Sequence, residues 1–326
     1  MKLALLLPPC PDDSWTLAVQ AGVRYAVTKP TSSMSGLGEP WEPGVAMALK
    51  RRFAEQGLAL LGFEGDPFDL SGVKLGRPGR DEDLQRYRAM LEAMGEAGLG
   101  LLCFNFMARL PGADHDWSRT REDYPLRGGA LATAFDLERV PSGDAGVSIA
   151  ADAVWSNYAA FIRAVIPTAE RAGVRMALHP DDPPLPELAG VSRVFGTVEA
   201  FERAYRLAPS PAHAVTFCQA NFMLMPGRVE DHARRLADRV AFVHWRDVAG
   251  TAERFHETFH DDGPHDLAAL LRLYHDLGLD VPIRVDHAPL MHGEGRPWMP
   301  GYGVHGRLLA AAYLRGIADG AGLPIE

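Results

Sequence analysis

Several things are scarce in this chain of 326 residues. Cysteine is one: there are three, Cys10, Cys103 and Cys218, an odd number with no C-x-x-C spacing. That pattern argues against a disulfide framework and fits thiols in a reducing compartment. Positive charge is also in deficit, with 33 Lys and Arg against 42 Asp and Glu and a formal net charge of −9. A nucleic-acid backbone or an anionic membrane is thereby a poor main partner. Long apolar runs are missing too. The amino terminus, Met1-Lys2-Leu3-Ala4-Leu5-Leu6-Leu7, begins like a secretory signal, but the run stops at Pro8-Pro9. That is short of the roughly 7 to 15 residues of a signal core, and no small-x-small cleavage site follows. The segment reads as a first buried strand, and the protein as cytoplasmic with no membrane partner.

What is present is ordinary globular material, 47% hydrophobic and 23% charged, arranged with a repeat. Short apolar runs bounded by Gly, Pro or Asp predict strands at Lys2–Leu7, Val23–Thr28, Leu58–Glu64, Leu99–Asn105, Val174–His179, Ala214–Cys218, Val240–His244 and Val281–Asp286. Amphipathic stretches of helical length follow them, among them Val45–Gln56, Glu82–Ala97, Asp152–Ala172, Val198–Leu207, Val229–Ala237, Leu267–Leu277 and Val304–Ile317, with a short one near Ser14–Ala21. Gly57, Gly98, Gly173 and Gly278 stand where helix C-caps belong, each just before a strand. Eight near-continuous apolar strands alternating with helices predict a parallel sheet closed into a (β/α)₈ TIM barrel, an α/β fold. An open doubly wound sheet is the alternative, but Pro8-Pro9-Cys10-Pro11 cannot serve as its phosphate turn. Two long insertions, Phe106–Ala151 after the fourth strand and Trp245–Pro264 after the seventh, fall on the carboxyl-terminal face where barrel active sites are built. No linker-like composition divides the chain, so residues 1–326 read as one domain.

Eleven of the 12 histidines lie from His179 onward. Placed on the barrel, His179, Cys218, His244 and Asp286 stand at the carboxyl ends of strands five to eight, four neighbours converging on one side of the mouth. Two imidazoles, a thiolate and a carboxylate make a metal site with positions left for substrate or water. His256-Glu257-Thr258-Phe259-His260 matches the H-E-x-x-H pattern of zinc proteases. Asp261-Asp262-Gly263-Pro264 stops any helix there, however, and that motif needs a sustained one. A loop lowering His256, Glu257 or His260 toward the mouth, or a solvated rim, are the readings left. Arg284 shares the inward face with Asp286, and Arg246 follows the seventh strand; either suits an anionic substrate or forms a structural ion pair, Arg284 with Glu64. Asn105 ends the fourth strand, where its amide orients a hydroxyl or caps a turn. His287 follows Asp286 directly, and Tyr302 lies in Gly301-Tyr302-Gly303; both residue types transfer protons.

The string Met176-Ala177-Leu178-His179-Pro180-Asp181-Asp182-Pro183-Pro184 closely resembles the signature of mannonate dehydratases. So do Phe104-Asn105-Phe106-Met107, Asp116-Trp117-Ser118-Arg119-Thr120, Phe255-His256-Glu257 with His260, Ile283-Arg284-Val285-Asp286-His287, and Gly301-Tyr302-Gly303 followed by Gly306-Arg307 and Tyr313-Leu314. The resemblance runs in order from about Ala21 to Asp319. It implies a xylose-isomerase-like barrel that uses Mn²⁺ to dehydrate D-mannonate to 2-keto-3-deoxy-D-gluconate in hexuronate catabolism, as a homo-oligomer. The family's metal ligands carry over onto His179, Cys218, His244 and Asp286, and its proton-transfer residues onto His287 and Tyr302. Arg284, Arg246, Asn105 and His256 are the further substrate-binding candidates. By ligand softness alone Zn²⁺, Fe²⁺ or Co²⁺ would also suit; Mn²⁺ rests on the resemblance.

Departures from the family pattern gather where substrate is held. After strand one an Arg-Trp-Phe-Gly-like stretch is replaced by Leu7-Pro8-Pro9-Cys10-Pro11, and after strand two Thr-Ala-Leu by Thr28-Lys29-Pro30-Thr31. Gln219-Ala220-Asn221-Phe222 stands for a Thr-Gly-Ser-like turn, and Ala288-Pro289 for Gly-Arg. The expectation is a hydro-lyase acting on D-mannonate or a related aldonate. A metal-dependent sugar isomerase is the alternative, although such enzymes usually hold metal with several carboxylates; a non-catalytic sugar-acid binder is another, although it would not need two proton-transfer groups.

Overall fold

A computed structural model describes residues 1–108, 118–141 and 148–326; of the motifs above, Asp116 and Trp117 lie outside the described residues. Eight parallel strands close into a barrel: β1 Lys2–Leu7, β2 Tyr25–Thr28, β3 Ala59–Glu64, β4 Leu101–Phe104, β5 Arg175–Leu178, β6 His213–Cys218, β7 Val240–Trp245 and β8 Pro282–Val285. Their order around the barrel is that of the chain, with β1 hydrogen-bonded to both β2 and β8. Each sits within a few residues of its predicted position, because a strand covered by helices outside and packed against its fellows inside must be apolar throughout. The inside is small: Leu6, Val27, Leu101, Cys103, Ala177, Ala214, Ala241 and Phe242 meet there, with Tyr302 above. The outward faces bury under the helices. Helix Ala151–Ala172 contributes Trp155, Tyr158, Phe161, Ile162, Val165, Ile166 and Ala169 to that outer core, one stripe at helical spacing.

The capping signals also fold as read. Gly57, Gly98, Gly173 and Gly278 all take left-handed φ between 65° and 78°. Asp12, Thr197 and Asp266 cap the helices that follow β1, β5 and the second insertion through their side chains. Among the described residues no helix is long and apolar enough to cross a membrane.

The insertions carry structure that periodicity did not predict. Arg121–Pro125 and Leu131–Asp136 from the first pair antiparallel, and Val248–Thr251 and Arg254–Glu257 from the second do likewise. The two hairpins join edge to edge, with His256 opposite Ala134, into a four-stranded sheet. Phe135, Val248 and Phe255 of this sheet pack with Leu185 and Leu188 from the segment after β5 and with Ala220 from the short helix Gln219–Leu224 after β6.

Candidate active site

Register brings the metal-ligand candidates into one layer. Cys218 of β6 is the Cα partner of His244 on β7, and His244 is the partner of Arg284 on β8. His179 directly follows β5 and Asp286 directly follows β8. The donor atoms of His179, Cys218 and His244 all lie within 4.8 Å of one another. Asp286 Oδ2 is 3.4 Å from His244 Nδ1 and 3.8 Å from Cys218 Sγ. The four residues singled out by sequence position are therefore brought together.

Their protonation suits a cation. Burial pushes both histidines below their ordinary values, helped at His244 by Arg284, so near neutral pH both rings keep a lone pair. His179 Nδ1 lies 2.7 Å from the Pro180 carbonyl oxygen, which leaves Nε2 as the free donor. Burial alone would raise Asp286, but Arg284, His287 and His244 hold it well below the usual carboxylate range. Burial pushes the Cys218 thiol up, while the Asn221 amide donates to its sulfur at 3.3 Å. A thiol so placed would give up its proton when a bound cation stabilises the thiolate left behind. Two neutral nitrogens, one sulfur and one carboxylate are a fitting set for a borderline divalent cation.

Beside this cluster lies a cavity of about 380 Å³, lined by His179, His244, Asp286, His287, Tyr302 and Asn105 among others. The rings of His287 and Tyr302 have centroids 5.2 Å apart. His287 Nδ1 lies 3.0 Å from Glu257 Oε1, and the Tyr302 hydroxyl donates to Asp286 Oδ1 at 2.7 Å. Burial raises Tyr302 well above its ordinary value against the pull of Arg284. Asn105 does cap the turn: its Oδ1 accepts from the Met107 backbone at 3.1 Å and from Lys74 Nζ at 2.9 Å. Its amide nitrogen has no acceptor among the described residues.

The arginines divide. Arg284 lines the cavity and forms the ion pair with Glu64, Nη2 to Oε1 at 2.6 Å, while Nη1 donates to Asp286 at 2.9 Å. Burial lifts Glu64 to about 7 in spite of that pair. Arg246, expected as a substrate-binding candidate, is not among the residues lining the cavity; its Nη1 lies 3.8 Å from Cys218 Sγ and 3.9 Å from Asp286 Oδ2, beside the donor set. It is fully buried, with Nε on both Glu257 oxygens at 2.9 and 3.0 Å and Nη1 on Asp182 at 2.7 Å. A guanidinium sequestered there needs carboxylates at every fork, and they arrive from the β5 loop and the four-stranded sheet.

His256 is likewise away from the cavity, stacked on Tyr124 at 4.1 Å. It sits on a strand, and alternation there turns Glu257 to the interior and His256 to the other face. His260 is buried, its Nε2 2.9 Å from the Trp245 carbonyl oxygen. H-E-x-x-H is thus half strand and half turn, not the helix a zinc protease needs. The groups missed by sequence reasoning at the cavity are Lys29, Asp66 and Asp182. All follow β2, β3 or β5 closely, so the strand-end rule that found the others would have found them.

The family model for D-mannonate dehydratase matches residues 11–149 and 144–322. Mannonate dehydratase 2 of Halalkalibacterium halodurans is 30% identical over 315 residues, covering 86% of this chain and 88% of that protein. A mannonate dehydratase of Streptococcus agalactiae serotype III is 33% identical over 315 residues, covering 87% and 88%. The crystal structure of mannonate dehydratase from Streptococcus suis serotype 2 superimposes with a TM-score of 0.87 at 28% identity, covering all of this chain and 97% of that one. D-Psicose 3-epimerase from Clostridium cellulolyticum H10, at 12% identity and a TM-score of 0.62, shares the fold alone.

Proposed function

The chain belongs to the mannonate dehydratase family, and from that membership we propose that it removes water from D-mannonate, or a closely related aldonate, to give the 2-keto-3-deoxy acid. The observation that carries this reading is the meeting of two sets of groups: His179, His244 and Asp286 line one cavity with the proton carriers His287 and Tyr302, and Cys218, fully buried beside them, completes the donor set. The donor set would hold the divalent cation, Mn²⁺ on the family's precedent. A cation there supplies the positive charge that stabilises the negative charge building on the substrate's carboxylate and C2 oxygen as the C2 proton leaves.

The rest is done by side chains. Glu257 accepts from His287 Nδ1, which leaves the Nε2 lone pair to take the C2 proton. The C3–O bond breaks with its electrons going to oxygen, and the Tyr302 hydroxyl gives that oxygen the proton that makes it water. The enol left behind loses its hydroxyl proton and gains one at C3, becoming the keto acid. Asn105, with its carbonyl oxygen already engaged, offers its amide hydrogens to a substrate hydroxyl. Arg284 acts on the site by fixing Asp286 rather than by gripping substrate. Arg246 ties Glu257 and Asp182 to the barrel rim.

The test is to incubate Mn²⁺-loaded protein with a panel of hexonates and pentonates and to assay for 2-keto-3-deoxy acids. Product from D-mannonate or a near relative is expected. Free sugars interconverted with no acid dehydrated would contradict the proposal.

A further inference from the structure

Four carboxylates line the cavity, Glu64, Asp66, Asp182 and Asp286, and each already has a cation. Asp66 takes Lys74 Nζ at 2.6 Å, Asp182 takes Arg246 Nη1 at 2.7 Å, and Arg284 serves Glu64 at 2.6 Å and Asp286 at 2.9 Å. One lining cation is left over. Lys29 directly follows β2 and is half-buried in the cavity wall. Among the described residues its ammonium makes no ion pair or hydrogen bond.

Its side chain lies along the turn that follows β3. The chain turns after β3 at Gly65, whose φ of +84° is a left-handed conformation that glycine adopts without strain. A Cβ built at that position would lie 3.8 Å from Lys29 Cε and 3.9 Å from Cδ, so the lysine stem runs over bare backbone. The position around the barrel matters as much. With the eight strands in chain order, β2 is four strands from β6 in either direction, and Lys29 faces Cys218 across the mouth. The donor set on β5 to β8 must hold the C1–C2 end of the substrate, because negative charge builds there. The far end of a linear acid then extends toward β2. In a simple hexonate that end carries only hydroxyl groups, which do not need an ammonium.

We infer that Lys29 is a specificity-determining residue that binds an anionic group at the end of the substrate remote from the reacting C2–C3 bond. The site is built for a sugar acid with two negative ends: a second carboxylate at C6, or a phosphate there. This inference rests on the dehydration site proposed above and names its substrate class more narrowly.

Calorimetric titration of Mn²⁺-loaded protein with D-mannonate, D-mannarate and 6-phospho-D-mannonate tests it, the last two separating carboxylate from phosphate. At least one doubly anionic acid is expected to bind roughly tenfold or more tightly than D-mannonate, the scale of one charge-assisted hydrogen bond. Lys29→Gln should abolish that preference and Lys29→Arg should keep it, with circular dichroism confirming that both variants fold. Equal binding of all three acids, or a preference that survives Lys29→Gln, overturns the inference. A protein that dehydrates none of these acids but keeps the Lys29-dependent preference contradicts the proposed reaction and upholds the role of Lys29. Dehydration of D-mannonate with no such preference does the reverse.

Discussion

Cys218 is held by contacts that an ordinary core cysteine does not need: Asn221 donates to its sulfur at 3.3 Å, and the Asp286 carboxylate lies 3.8 Å away. If that sulfur ligates a cation, Cys218→Ser should keep the fold and lower Mn²⁺ affinity by at least about tenfold, since even outer partners of metal ligands are worth that much. Metal analysis after dialysis checks this, and full retention would remove the cysteine from the site. His287→Gln and Tyr302→Phe should keep the metal and lower kcat by about 10² to 10⁴, the usual worth of a positioned acid or base; steady-state rates beside metal content decide it. Cys218 and His287 stand at or just beyond a barrel strand, where position alone predicts the mouth, whereas Tyr302, 17 residues past the end of β8, is singled out by its glycine-flanked turn and the family resemblance. Arg246 also stands just beyond a strand, yet it does not line the cavity. Its partners Asp182 and Glu257 lie 64 and 11 residues away, and no local pattern announces two buried carboxylates converging from separate loops.

The barrel strands could be read because burial on both faces demands uninterrupted apolar runs. The four-stranded sheet could not, because Arg121-Glu122-Asp123-Tyr124-Pro125 has neither alternation nor apolar content and is largely exposed. It is a strand only because Leu131–Asp136 lies beside it. Within the barrel, Gly62 on β3 has no room for a side chain, since a Cβ there would overlap the Leu101 carbonyl oxygen of β4. Gly62→Ala should cost about 1–3 kcal/mol or more, read from urea midpoints, because neither backbone can yield without opening the barrel. At the start of β6, His213 is buried with Nε2 2.8 Å from the Tyr158 hydroxyl and Nδ1 3.1 Å from the Ala208 carbonyl oxygen. Burial lowers it to about 4 from 6.5. The unfolded chain then binds a proton that the folded one refuses. The stability carried by neutral His213 is full above about pH 6.5 and is lost as pH falls toward 4, by up to roughly 3 kcal/mol. His213→Gln should lose stability less steeply across that window, and an unchanged slope in urea titrations from pH 7.5 to 4.5 would contradict the assignment.

For the molecule as a whole, sequence and structure agree on a closed barrel, and the proposed groups gather on one half of its mouth, the donor set at the ends of β5 to β8 and the His287–Tyr302 pair after β8. The other half, where β1 and β2 end, carries two of the four departures from the family pattern, Pro8-Pro9-Cys10-Pro11 and Lys29-Pro30, while Gln219-Ala220-Asn221-Phe222 and Ala288-Pro289 follow β6 and β8. The net charge of −9 gives the molecule no general attraction for anions, so an anionic substrate must be captured by local positive charge at the mouth. The most direct test of the central claim is mass spectrometry of the products formed from D-mannonate by Mn²⁺-loaded protein, with and without a chelator. A 2-keto-3-deoxy acid lighter than the substrate by one water, formed only while the cation is bound, is the predicted result. An isomer of unchanged mass, or dehydration that persists after the cation is stripped, would contradict it.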